Sequence, residues 1–120
     1  MPIHFRQLTV TDEDMARFWP KVAEPDENGC TLWTAGTRGH MGYGSFMLNG
    51  RMVMAHRVAW EYFMGDIPPG LVVDHVYEAG CRSPRCVWIG HLEVVTQAEN
   101  ERRKWAAIKA RTRAQLSLHV

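Results

Sequence analysis

The chain has 120 residues, of which 46% are hydrophobic and 22% charged, and its formal net charge is +1. A chain this short has too little apolar surface for two cores, and its composition excludes global disorder and a coiled coil. Because it shows neither a membrane-spanning apolar run nor a signal peptide, we expect one cytoplasmic domain over residues 1–120. Charge is uneven: acidic residues crowd the first quarter, whereas residues 101–113 are strongly basic and would suit a polyanion.

The N-terminal segment, residues 1–24, is predicted to contain a short helix. Thr11 begins a capping pattern, and the helical spacing of apolar residues continues until Pro20 intervenes, so the helix should end near Phe18. Turn-forming residues then lead to Cys30 and a short strand-like run, TLW.

The middle of the chain predicts a β-hairpin followed by a helix. Asn49 and Gly50 lie between two apolar runs, and Asn-Gly is favoured in tight hairpins because both central residues need positive φ. The stretch HRVAWEYFMG then has helical spacing, with Gly65 as its C-terminal stop.

The last third predicts a strand, a cysteine-containing loop, a second strand and a helix. LVVDH and HLEVV are short β-branched runs typical of strands. Thr96 and Glu99 form a capping box for the last helix, which we expect to turn Trp105 and Ile108 inward and its basic residues outward. Residues 106–120 are expected to continue as a basic helix or tail.

The stretch CRSPRCVWIGH separates Cys81, Cys86 and His91 by four residues each. Zinc takes four tetrahedral ligands, and thiolate and imidazole suit it. Cys30 is the only other cysteine, and as the fourth ligand it would join the two halves of the chain, a contribution to folding on the order of 10 kcal/mol. The alternative is three buried, unliganded cysteines. The arginines and the proline around the thiols argue against such burial.

Polar side chains that suit hydrolysis follow the LVV run. Asp74 and His75 end it, and a histidine at a strand end beside a zinc loop is suited to take a proton from water near neutral pH. Asn100 lies in the first turn of the last helix, where its amide oxygen would suit magnesium. If strand and helix pack together, His75 and Asn100 flank one cleft. Taken singly, each residue is more often a filler or a solvated side chain.

The stretch VVDHVYEAGCRSPRCVWIGHLEVVTQAENERR resembles the HNH endonucleases, or ββα-metal nucleases, in the order of its Asp-His pair, cysteines, HLE and AEN. AHRVAWEYFMGDIPPGLVVDH is similar to the segment that precedes this motif in phage-type members. The resemblance covers roughly residues 28–105, with a motif core at 72–105. It is especially similar to His-Cys box homing endonucleases, whose structural zinc is held by one distant cysteine and C-x4-C-x4-H. That pattern falls on Cys30, Cys81, Cys86 and His91.

The resemblance implies an α+β fold, a small ββα-metal (His-Me finger) nuclease with a structural zinc loop, an N-terminal hairpin and flanking helices. It implies DNA phosphodiester hydrolysis with one catalytic Mg²⁺ or other divalent metal. His75 would be the general base, and Asn100 would hold the metal, with Asp74 either a second ligand or a strand-end cap. His56 matches a further histidine that either polarises the phosphate or orients His75. Some members of the family also use an arginine near the scissile phosphate, and the candidates here are Arg38, Arg51 and Arg57.

Two departures from the family pattern affect the cysteine loop. Trp88 and Ile89 replace the Asn-Pro that usually follows the second cysteine, so the loop would have to be held differently. Residues 77–80 lengthen the span between His75 and Cys81, which a bulging loop would absorb without moving the ligands.

Basic side chains near the motif are candidates for contact with nucleic acid. They could track DNA phosphates in a salt-dependent manner, and the alternative is a solvated helix face. The predicted contacts are Arg57, Arg102, Arg103 and Lys104. The predicted hairpin could lie in a groove of the DNA, or it could belong to a core sheet.

The main hypothesis is therefore a small metal-dependent DNA endonuclease of a phage or a mobile intron. The rival is a catalytically inactive, zinc-stapled nucleic-acid-binding module, and a third alternative is a structural zinc protein with protein partners only. The sequence leaves open whether cleavage nicks or breaks the duplex, which DNA is attacked and whether a homodimer acts.

Overall fold

The structure, a computed structural model, describes residues 10–117, apart from the side chains of residues 111 and 114–117. Over this range the chain forms three α-helices and two small antiparallel sheets. The elements in chain order are α1 (Asp12–Phe18), β1 (Thr37–Arg38), β2 (Tyr43–Leu48), β3 (Arg51–Met54), α2 (Ala55–Met64), β4 (Leu71–His75), β5 (Leu92–Thr96) and α3 (Gln97–Ser117). None of the helices in the described part is long and apolar enough to cross a membrane.

The predicted N-terminal helix is confirmed as α1, which ends at Phe18. The Thr11 hydroxyl accepts a hydrogen bond from the Asp14 backbone N–H at 3.1 Å, and the Asp14 carboxylate accepts from the Thr11 N–H at 3.0 Å. This reciprocal capping box satisfies donors that a helix start leaves unpaired. The hydrogen bond from the Thr11 backbone is the main reason that the pKa of Asp14 is lowered. Residues 1–9 of the predicted N-terminal segment lie outside the described residues.

The predicted hairpin is confirmed as β2 and β3, with Asn49 (φ 50°) and Gly50 (φ 80°) in its turn. β1 pairs with the other edge of β2, so the first sheet has the order β1-β2-β3. Gly44 on β2 lies against the buried Trp33, where a Cβ atom would come within 2.6 Å of the indole. Only glycine therefore lets this strand pass over Trp33.

The main core lies between this sheet, α1 and α2. Phe18, Trp33 and Phe46 form a cluster of aromatic rings with centroids 4.8 to 5.7 Å apart. The buried members of the core are Met15, Phe18, Trp33, Phe46, Leu48, Ala55, Val58, Ala59 and Val87. Val87 follows Cys86 directly, so the cysteine-containing loop is anchored in the same core.

The second sheet and the last helix form the ββα unit that the resemblance implies. β4 and β5 pair antiparallel with Val73 opposite Val94, and α3 packs against both strands. The helix begins at the predicted position, and the Thr96 hydroxyl accepts a hydrogen bond from the Glu99 N–H at 3.0 Å. Within the described residues only this half of the predicted capping box forms, because the Glu99 carboxylate accepts from Arg102 and Arg103 instead. We call residues 76–91, between β4 and β5, the cysteine loop.

The prediction that the last helix turns Trp105 and Ile108 inward is wrong. The two side chains are 57% and 37% exposed. The strands beneath the helix have 5 residues each, or about 17 Å, whereas the helix has 21 residues and runs for about 31 Å. The sheet is too short to cover more than the beginning of α3. Lys104 and Lys109 on this helix are exposed, as expected.

Candidate functional site

The four predicted zinc ligands come together in one cluster. The sulfurs of Cys30, Cys81 and Cys86 and a ring nitrogen of His91 all lie within 4.8 Å of one another. His91 Nδ1 is 3.6 Å from the sulfurs of both Cys30 and Cys86. Tetrahedral zinc, with bonds of about 2.3 Å to sulfur and about 2.05 Å to nitrogen, would separate a sulfur and a nitrogen by about 3.6 Å. The donor set and its spacing therefore fit zinc.

The expectation that the thiols are not buried is wrong, since all three cysteines are at most 3% exposed. The loop turns its charged side chains outward instead. The guanidinium of Arg82 lies 3.6 Å over the Tyr77 ring, and Arg85 Nε donates to the Trp33 carbonyl at 2.9 Å. Burial raises the pKa of the Cys30 thiol.

Main-chain hydrogen bonds fasten the cysteine loop where the family asparagine is missing. Val87 N–H donates to the Thr31 carbonyl at 2.9 Å, and Trp33 N–H donates to the Arg85 carbonyl at 2.8 Å. His91 N–H donates to the carbonyl of Trp88 at 2.9 Å, in a short 3-10 helix at the end of the loop. The loop is thus held against the strand-like run that follows Cys30.

The lengthened span after His75 is absorbed as predicted. Tyr77–Ala79 form a 3-10 turn, and Gly80 ends it at φ 109°, a conformation that favours glycine. The N–H groups of Gly80 and Cys81 donate to the carbonyls of Tyr77 and Val76 at 3.0 and 3.2 Å. Cys81 consequently stays beside the other ligands.

His75 lies in a cleft of about 190 Å³ between α2, β4 and α3. Its Nε2 is 2.9 Å from the carbonyl oxygen of Cys86, and because a carbonyl only accepts, Nε2 carries the hydrogen. In the neutral ring, Nδ1 then has a free lone pair. Burial is the main cause that lowers the pKa of His75, which favours this neutral form. The cleft is lined by Tyr43, Met54, His56, Arg57, Ile67, residues 71–75, Gln97 and Asn100.

Two further rings pack around His75. The ring of His56 has its centroid 4.3 Å away, and Tyr43 stacks at 5.9 Å with an interplanar angle of 14°. His56 Nε2 is 3.2 Å from the Val73 carbonyl, so it donates there. Burial, followed by the charge of His75, lowers the pKa of His56 to about 3. The sequence analysis did not identify Tyr43, which lies at the start of β2. Burial, followed by the charge of Asp74, raises the pKa of Tyr43.

Asp74 and Asn100 line the same cleft from β4 and from the first turn of α3. The predicted proximity of His75 and Asn100 is therefore confirmed. Carboxylate and amide oxygens are the donors that Mg²⁺ prefers, so the two side chains fit such an ion. Asp74 also forms an ion pair, with its Oδ2 3.2 Å from Nη1 of Arg103.

Among the arginine candidates for the scissile phosphate, Arg57 lines the cleft, whereas Arg38 and Arg51 lie on β1 and β3. Arg57 also lies 3.7 Å from the buried carboxylate of Glu61.

Two of the other predicted DNA contacts are engaged within the chain. Arg102 lies 2.6 Å from the carboxylate of Glu99, and Arg103 pairs with Glu93 and Glu99 as well as with Asp74. Lys104 is exposed. Contact of these side chains with phosphates stays a prediction.

Residues 53–102 match a family model described as HNH endonuclease. A curated relative, Protein 7.7 of Escherichia phage T7, is 39% identical over 71 residues, which cover 59% of this chain and 51% of the relative. The chain thus spans about half the length of this relative. No solved structure matches the chain significantly. The resemblance to HNH endonucleases is confirmed over a segment that contains α2, β4, the cysteine loop, β5 and the start of α3.

Proposed function

We propose that this chain, whose residues 53–102 match the HNH endonuclease family, is a metal-dependent endonuclease that hydrolyses phosphodiester bonds in DNA. The observation that carries the proposal is the hydrogen bond of 2.9 Å between His75 Nε2 and the Cys86 carbonyl. This bond fastens His75 to the cysteine loop and leaves Nδ1 as the ring nitrogen that can accept a proton. A general base needs an unprotonated nitrogen near neutral pH, and the lowered pKa of His75 provides one.

In the proposed reaction, Nδ1 of His75 takes a proton from a water molecule that attacks the phosphorus. His56 then orients His75 rather than polarising the phosphate. Its only N–H donates to Val73, and with a pKa of about 3 its ring stays neutral and has no second proton to offer. Tyr43 and His56 pack on the His75 ring and restrict its orientation.

A bound magnesium ion, or a similar divalent cation, would supply positive charge to neutralise the scissile phosphate and to stabilise the departing 3′ oxygen. Asn100 and Asp74 would hold it through their side-chain oxygens. The Cys3His cluster has a different task, because four protein ligands close a zinc site and leave no position for water or substrate. We therefore assign zinc a structural role.

DNA would approach the open side of the cleft, where Arg57 is the candidate for the scissile phosphate. The exposed Lys104 and Lys109 on α3 would contact flanking phosphates, an attraction that salt weakens. Such an enzyme would act in the cytoplasm of a bacterial or phage-infected cell, where its DNA substrate is found.

Incubation of the zinc-loaded chain with supercoiled plasmid and Mg²⁺ tests the proposal. The parent should nick the plasmid, and His75→Ala should lose about 100-fold or more of the rate, as is usual for loss of a general base. Zinc content and the circular dichroism spectrum should not change. His40→Ala, at an exposed histidine outside the cleft, is the matched control and should cut like the parent.

Equal cutting by His75→Ala and the parent would contradict the assignment of the base. Salt-sensitive DNA binding without any nicking would indicate the inactive nucleic-acid-binding module instead. Absence of both would indicate a structural zinc protein.

A further inference from the structure

Arg103 lies one helical turn after Asn100 on α3 and contacts three carboxylates. Its Nη1 is 3.2 Å from Asp74 Oδ2, and its Nε is 2.7 Å from Glu99 Oε2. Nη1 and Nη2 each donate to one oxygen of Glu93 at 3.3 Å. Asp74 and Glu93 stand directly opposite each other on β4 and β5, where two like charges repel. The guanidinium bridges this pair and ties it to the helix.

We propose that Arg103 is a positioning residue for the divalent metal site: it fixes the carboxylate of Asp74 so that this group and Asn100 face the same ion. The inference rests on the proposed function, in which Asp74 and Asn100 hold the metal. Arg103 bonds to Oδ2 of Asp74, so a cation can still bind through the other oxygen. Side chains that hold a metal-ligating group in this way commonly determine how tightly the site binds its metal.

The positive charge of Arg103 does not decide the effect on a cation. Asp74, Glu93 and Glu99 carry three negative charges around Arg103 and Arg102, so the local sum stays negative. The Arg103 side chain is also 30% exposed, so water screens part of the repulsion between the guanidinium and the ion. The orientation of Asp74 should therefore outweigh the repulsion, and loss of Arg103 should weaken metal binding.

This role differs from the DNA contact that the basic sequence of α3 suggests. A guanidinium engaged by three carboxylates would have to leave them to bind a phosphate. Within the described part of the chain, Arg102, next to it, forms an ion pair only with Glu99 and is 67% exposed. It is thus a matched neighbour that lacks the contact with Asp74.

Titration of the zinc-loaded chain with Mn²⁺, followed by electron paramagnetic resonance, tests the inference without requiring cleavage. Arg103→Gln should lower the affinity for Mn²⁺ by about 10- to 100-fold. Arg102→Gln should bind Mn²⁺ like the parent. Zinc content and circular dichroism show whether each variant is folded. If Arg103→Gln does not fold, Arg103→Lys keeps the charge without the planar fork and should also bind Mn²⁺ more weakly.

A double-mutant cycle with Asp74→Asn identifies the path of the effect. If Arg103 acts through Asp74, Arg103→Gln should cost little further affinity in the Asp74→Asn background. Unchanged or tighter Mn²⁺ binding by folded Arg103→Gln would overturn the inference, and so would an equal loss in both backgrounds. If the parent nicks plasmid and Arg103→Gln binds Mn²⁺ as tightly as the parent, the inference about Arg103 is wrong and the proposed function stands. A parent that binds Mn²⁺ but never nicks overturns only the proposed function, and one that binds no Mn²⁺ contradicts both.

Discussion

The Cys3His cluster and the cleft are neighbouring sites of opposite character, and one hydrogen bond connects them. In the cluster all four ligands are buried and face one another within 4.8 Å. In the cleft, His75 and Asn100 are half-buried and line about 190 Å³ of open space. Cys86 connects the two, because its sulfur faces the cluster and its carbonyl accepts the hydrogen bond from His75. The comparison separates a closed site that stabilises the fold from an open one that suits chemistry.

The largest effect should come from removing a ligand of the closed site. Structural zinc contributes on the order of 10 kcal/mol in small domains, whose total stability is about 5–15 kcal/mol. Cys86→Ser should therefore lose zinc and cooperative thermal unfolding, as measured by elemental analysis and circular dichroism. Glu78→Gln, at an exposed position of the same loop, should keep both. A zinc-free Cys86→Ser protein with the parent's melting temperature would contradict the stabilising role.

Removing an oxygen donor from the open site should affect activity and leave the fold intact. Asn100→Ala should reduce plasmid nicking on the order of 100-fold or more, because a metal ion supplies several kcal/mol of transition-state stabilisation. The matched control is Gln97→Ala, which changes another amide that lines the cleft one turn earlier on α3. Similar losses in the two variants would argue against a specific metal role for Asn100.

His56, which packs against His75, should make the stability of the fold depend on pH. The folded chain keeps His56 neutral down to a pKa of about 3, whereas an unfolded histidine takes a proton below about 6.5. Between these values the unfolded state binds more protons, so stability falls as the pH falls, by at most about 1.4 kcal/mol per pH unit.

Denaturant unfolding of the zinc-saturated parent and of His56→Gln at several pH values between 7.5 and 5 checks this slope. The variant should lose less stability across the range than the parent. Parallel curves would show that His56 is not the group responsible.

The smallest effect should come from the exposed part of α3. Trp105 is 57% exposed, so Trp105→Ser should change the free energy of unfolding by about 0.5 kcal/mol or less. Trp33 is fully buried, and Trp33→Ala should cost about 3–5 kcal/mol. A large loss of unfolding free energy in Trp105→Ser would indicate that Trp105 is buried, as the sequence pattern predicted.

Local sequence signals were sufficient where a short stretch determines its own conformation. Asn49 and Gly50 adopt the positive φ of a tight turn, and Thr11 and Asp14 cap a helix without help from the rest of the chain. The grouping of Cys30 with the loop cysteines was also predictable, because it is the only remaining cysteine and the resemblance assigns it the same place.

Tertiary contacts explain what the sequence did not reveal. The thiols are buried because the arginines around them bend away to Tyr77 and Trp33, which no local pattern shows. Trp105 is exposed because the strands below α3 are short. The three carboxylates around Arg103 lie on three different elements, so the sequence offered only a phosphate-contacting surface or a solvated helix face for the basic run.

Nuclear magnetic resonance of the two ring nitrogens of His75 tests the central claim most directly, that the cysteine loop presents this histidine as a base. Long-range ¹H–¹⁵N correlation on the zinc-loaded chain near neutral pH should show the proton on Nε2 and an unprotonated Nδ1. A ring protonated on Nδ1, or one that exchanges freely between the two tautomers, would contradict the account.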